Sequence, residues 1–93
     1  MTSVHFDRWL RKQRRRRDSV GDLARRVLDD DQFPKRPRGK PADYARMHGY
    51  LTLLPGSGKI AWIGVEEIAR YNLERAWAEF VLVPGAVTGM GAQ

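Results

Sequence analysis

The sequence predicts an all-α domain, a compact bundle of four to five short helices, from three observations. Apolar residues recur at i, i+3 and i+4 in four separate segments. One of these segments opens on a helix-start signature. Prolines and glycines then divide the segments from one another, at positions where a helix cannot continue cheaply.

The first helix is expected over 4–13, with Phe6, Trp9 and Leu10 on one face. Residues 20–28 carry the clearest pattern, Val20, Leu23, Ala24, Val27 and Leu28. Ser19 can cap this second helix, with Asp22 three residues later in the capping-box arrangement. "DDDQFPKRPRGKP" must be a connection, because Pro34, Pro37 and Pro41 remove donors and hold their predecessors extended. Phe33 is thereby placed as a hydrophobic plug between helices. The helical period resumes from Asp43 with Tyr44, Met47, His48 and Leu51, and "LPGSGK" ends it. "IAWIG" fits a buried turn or an extended strand. The last helix is expected over 65–82, with Ala69, Leu73, Ala76, Trp77 and Phe80 as its stripe. Glu66 and Glu67 stand in its first turn, and a break near Asn72 could divide it. The domain spans 1–83, and the tail 84–93 is expected to be mobile because nothing in it can anchor.

With 93 residues, the chain forms one domain and buries roughly 60–65% of its unfolded surface. Its 42% hydrophobic and 30% charged residues are ordinary for a folded protein and argue against disorder. The absence of cysteine excludes disulfides and thiolate metal sites. No apolar run approaches the roughly 20 residues of a membrane span. "MTSVHFDRWLRKQ" lacks the apolar core and cleavage site of a secretory signal, so a cytoplasmic location without membrane contact is expected. The net charge of +6 is uneven: residues 1–40 hold thirteen Lys/Arg against six Asp, and 41–93 hold four against five Asp/Glu. Such asymmetry predicts one electropositive face.

Three blocks of the chain resemble the YozE family, small bacterial proteins with a fold like the sterile alpha motif. "FDRWL" has the aromatic and Trp-Leu spacing of that family's first helix. "DSVGDLARRVLDDDQFPK", Asp18 to Lys35, follows the family pattern without a gap, including Leu23-Ala24, Asp30 and Phe33-Pro34. "DYARMHGYL" and "LERAWAEF" match its third and final helices. The resemblance covers about half of the chain and implies a sterile alpha motif-like helical bundle in a bacterial or phage protein. It implies no catalytic residue, because such folds serve protein and RNA contacts alike. Two segments depart from the family: "RRRR" replaces a loop that usually contains proline and lysine, and "PGSGKIAWIG" reads as an insertion.

The arginine run poses the functional question. In a helix extending through Arg15, the charges Arg11, Lys12, Arg14 and Arg15 crowd one another, each like pair costing about 0.2–0.5 kcal/mol. A helix C-terminus offsets one or two of them, by about 0.3–1 kcal/mol, and Asp18 and Asp22 can neutralise one or two more. The remainder point to an external polyanion. Lys35, Arg36, Arg38 and Lys40 form a second cluster, with Arg25 and Arg26 between the two in sequence. The expected nucleic-acid-binding set is therefore Arg11, Lys12, Arg14, Arg15, Arg16, Arg17, Arg25, Arg26, Lys35, Arg36 and Arg38. It would contact the DNA or RNA backbone, weakly selective for sequence. The competing expectation is a protein-interaction adaptor with an acidic or apolar-groove partner, anchored by Trp62 and Ile63 if these are exposed.

Other motifs have plainer explanations. Asp29-Asp30-Asp31 opposes a helix dipole, so Asp30 or Asp31 is expected to cap the turn at Gln32-Phe33 while the others face Arg25 and Arg26. "PGSGK" lacks phosphate-loop spacing, since Ile60 follows Lys59. His48 is expected to be a satisfied, half-buried residue, and His5 stands alone. No nucleophile has a base and orienting carboxylate placed by motif. The expectation is therefore a protein that is not an enzyme, with no cofactor, metal or small-molecule substrate.

Overall fold

The computed structural model describes residues 3–34 and 44–87. In chain order its elements are β1 (Val4–His5), α1 (Phe6–Arg11), a 3₁₀ helix (Lys12–Arg15), α2 (Ser19–Asp29), α3 (Tyr44–Thr52), a 3₁₀ turn (Ile60–Trp62), α4 (Ala69–Phe80) and β2 (Ala86–Val87). The architecture is a small all-α bundle, as the periodicity predicts. Residues 35–43, which include the later part of the expected connection, and the end of the tail, 88–93, lie outside the described residues.

Each helix buries most of the stripe its sequence carries, with the exception of Leu28, which ends the α2 pattern and stands 43% exposed. Phe6 and Leu10 of α1, Val20, Leu23, Ala24 and Val27 of α2, Met47 and Leu51 of α3, and Leu73, Ala76 and Phe80 of α4 form one core with Phe33, Leu54 and Trp62. Burial of an aliphatic or aromatic side chain contributes about 1.5–3 kcal/mol, so this one cluster supplies most of the driving force. Aromatic edges order its upper end. Phe6 meets Trp77 and Phe80 edge-on at centroid distances of 5.2 Å, and Tyr44 stacks on Trp77 at 4.5 Å.

Several expected details differ for local reasons. The cap of α2 is Asp18 rather than Ser19: its side chain accepts from Gly21 N at 3.0 Å, and Ser19 is already helical. Residues 4–5 are extended, because they pair in parallel with Ala86–Val87, and Val4 N donates to Gly85 O at 2.9 Å. The start of the tail is thus anchored. "IAWIG" resolves as the 3₁₀ turn at 60–62. Residues 65–68 form hydrogen-bonded turns, so α4 begins only at Ala69 and then runs through Asn72 without a break.

Asp30 ties two of the loops to the core. Its Oδ1 accepts from Gln32 N at 3.0 Å, which is the cap expected of the aspartate run. Its Oδ2 accepts from Tyr50 Oη at 2.5 Å and Trp62 Nε1 at 2.8 Å. Phe33 fills the space beside them as the expected plug, edge-on to Tyr50 at 5.3 Å.

Candidate nucleic-acid interface

The arginine run sits where α1 tightens into the 3₁₀ helix. Three residues per turn divide the side chains of such a helix into three rows. One row faces the body. Gln13 donates to the Trp9 carbonyl at 2.9 Å, and Arg16, three residues on, reaches across to Glu79 of α4 and back to Asp18. The other two rows face outward. Lys12 and Arg15 lie on one and Arg14 on the next, Arg17 follows the extended Arg16 just past the helix, and all four are exposed.

Arg25 locks this segment onto α2. Its Nη1 donates to the carbonyls of Arg14 and Arg16, at 2.7 and 2.8 Å. These oxygens belong to the end of the 3₁₀ helix, where the backbone leaves acceptors without intrahelical partners. One guanidinium therefore closes the end of the tract and adds its own exposed positive charge to it.

The expected binding set divides by geometry. Lys12, Arg14, Arg15 and Arg17 make no ion pair among the described residues, and Arg25 is bonded only to carbonyls. Arg16 is committed to Asp18 and Glu79, which raise its pKa well above the ordinary arginine value, the Glu79 hydrogen bond contributing most. Arg26 spans Asp22 at 2.9 Å and the Ala61 carbonyl at 3.0 Å. Arg11 is half-buried, with its Nη2 enclosed and unpartnered. Arg11, Arg16 and Arg26 are thus turned to the fold, because each has backbone or carboxylate within reach or is enclosed by packing. Lys35, Arg36 and Arg38 lie outside the described residues.

Of the two expected protein anchors, Trp62 is fully buried because its indole N–H is held by Asp30. Ile63 is 59% exposed and alone remains available. Asp29 pairs with neither Arg25 nor Arg26, since Arg26 turns back to Asp22 one helical turn earlier. His48 is half-buried and hydrogen-bonded to Glu74 at 2.8 Å, the satisfied state expected of it. The "PGSGK" segment is a plain turn. Gly56 and Gly58 adopt φ of 83° and 74°, and Lys59 turns its amine to Gln32 and over the Tyr50 ring. Among the described residues no group of three or more His, Asp or Glu is placed to hold a metal ion. No helix there is long and apolar enough to cross a membrane.

One surface feature beside the tract escapes the sequence reading. Arg25, Arg26, Asp22 and Asp29 of α2 line an open groove of about 510 Å³, closed on its other side by Ile60 and Ala61. Ile60 is 86% exposed. Only the tertiary placement of the 60–62 turn brings it next to α2, so no sequence signal marks it.

The molecule is thus a small all-α module with a basic edge whose cations form no ion pair among the described residues. Comparison with known protein families, with curated proteins and with solved structures found no match.

Proposed function

We propose that this protein is a non-catalytic, YozE-like helical module that binds nucleic-acid phosphates through Lys12, Arg14, Arg15 and Arg17, with Arg25 completing the site. One observation carries the reading: these cations crowd a single short segment and have no carboxylate partner among the described residues. A folding role would have supplied partners, as it did for Arg16 and Arg26. The family part of the reading is supported by the burial of the residues that match it, among them Phe6, Leu10, Leu23, Ala24, Phe33, Ala76 and Phe80.

The contact is with the backbone rather than with the bases. The rings near the tract, Phe6, Trp9 and Phe80, pack on one another in the core cluster. Among the described residues these rings therefore offer no platform for base stacking beside the arginines. Engaging about five phosphates gives a slope of log affinity against log salt of about −4.5 on duplex DNA. Changing Lys12, Arg14, Arg15 and Arg17 together to glutamine should abolish binding at low salt for every sequence tried. Equal binding by that variant would refute the proposal.

Contact with another protein is a second reading, favoured by a different surface. Ile68 and Tyr71 are exposed one turn apart at the start of α4, and Leu82 is exposed just past its end. Retention of a partner at high salt, where a phosphate contact is lost, would select this reading.

A further inference from the structure

We infer that Ile60 is an apolar wedge for the minor groove of duplex DNA, held rigidly beside the phosphate-binding edge. The inference rests on the phosphate reading above and adds which nucleic acid is bound and what happens to it.

Single exposed apolar side chains are common and need no explanation by themselves. Ile60 differs in how it is held. All its neighbours are fixed by side-chain hydrogen bonds: Lys59 to Gln32, Ala61 through its carbonyl to Arg26 at 3.0 Å, and Trp62 to Asp30 at 2.8 Å. The turn itself closes through Trp62 N to Lys59 O at 3.0 Å and Ile63 N to Ile60 O at 3.3 Å. Five hydrogen bonds thus hold the backbone of a turn whose most exposed side chain is Ile60, at 86% against 59% for Ile63. A side chain held out in this way loses little freedom when it is inserted elsewhere, and this preorganisation favours binding.

Position gives the wedge its partner. Arg25 bonds the carbonyls of the arginine tract and also lines the groove whose far wall is Ile60. Tract, Arg25, groove and Ile60 therefore follow one another across one surface. Asp29 lines the same groove and has no ion pair among the described residues, so its charge repels phosphate from the groove itself. A backbone strand riding over the tract and Arg25 would leave base edges, not phosphates, facing Ile60. Isoleucine belongs to the apolar side chains that enter a minor groove, part a base step and kink the duplex, while flanking cations hold the backbone. A-form RNA presents a wide, shallow minor groove and does not accept such insertion in the same way.

The test uses the full chain and a duplex of about 20 base pairs carrying 2-aminopurine at one flexible TA step and fluorophores at its ends. Wild-type protein should brighten the 2-aminopurine and shorten the end-to-end distance. Ile60→Ser, at an exposed position, should keep the wild-type melting temperature and salt slope. It should lose both fluorescence changes and bind about tenfold more weakly, the factor that a partly buried isoleucine supplies. Ile60→Leu should restore them. A wild-type complex that forms without brightening or bending would overturn the wedge and leave the phosphate reading intact, as would a serine variant that bends DNA normally. Equal unstacking of an RNA duplex would overturn the choice of DNA. Absence of any binding at low salt would overturn both readings together.

Discussion

Asp30 keeps its charge in a site that is 91% closed to solvent, and the reason lies in three donors. Burial alone pushes its carboxyl upward. The hydrogen bonds from Tyr50, Trp62 and Gln32 N, with the charge of Lys59, outweigh burial and hold it below its ordinary value of 3.8. The sign of the pH effect follows. On acidification the unfolded chain takes up this proton first, so the contribution is complete above 3.8 and is lost as pH falls through the lower folded value. Asn cannot accept from both sides, and Asp30→Asn should cost about 1.5–3 kcal/mol at neutral pH. Its urea-derived stability should also fall less steeply on acidification, retaining the part due to Asp18, whose pairing with Arg16 lowers its carboxyl too. A neighbouring pair of arginines separates folding from binding equally directly. Arg16→Ala breaks the contacts to Asp18 and Glu79 and should lower stability by about 1 kcal/mol, because both pairs are partly exposed. Arg15→Ala breaks no ion pair among the described residues; it should not lower the melting temperature and should reduce the salt slope of DNA binding by about 1.

Among the elements, α2 shows a constraint that propensity would misjudge. Gly21 lies one turn into the helix, where alanine ordinarily stabilises by about 0.5–1 kcal/mol. Here a Cβ would stand 2.1 Å from the Arg16 carbonyl oxygen and 2.6 Å from its carbon. The backbone at the exit of the 3₁₀ helix would have to move away, and with it the carbonyl that Arg25 holds. Gly21→Ala should therefore destabilise by about 1–3 kcal/mol, and should weaken DNA binding as well because the tract shifts with that backbone. A stabilised variant would show that α2 and the tract are not seated as described. The same element explains what could be read in advance. Leu23, Ala24 and Val27 act within four residues of one another, so their pattern is visible in the chain, whereas the choice between the neighbours Asp18 and Ser19 as the cap is settled only by the backbone. The pair Arg16–Glu79 spans 63 residues, and the β1–β2 bridge joins the two ends of the described chain. No periodicity records either. Ile60 was hidden for a similar reason: its significance comes from α2 standing beside it, not from the residues flanking it.

For the whole molecule, the uneven charge of the sequence is resolved into two populations, one neutralised inside the fold and one left on an edge. Lys12, Arg14, Arg15 and Arg17 repel one another with no compensating partner among the described residues, and like-charge crowding of this kind destabilises a compact state. Sodium chloride screens that repulsion: the Debye length falls from roughly 30 Å at 0.01 M to about 10 Å at 0.1 M. The wild-type melting temperature should therefore rise across this range. The variant with all four cations changed to glutamine should start higher at low salt and respond less, because the repulsion has been removed. A polyanion acts on the same charges by a different route, binding the folded state and stabilising it by mass action. Heparin should accordingly raise the wild-type melting temperature at low salt and leave the glutamine variant unmoved. The two measurements must agree for the edge to be a binding surface. If the glutamine variant melted lower than wild type at every salt concentration, the arginines would be supporting the fold, and the polyanion would have lost its site.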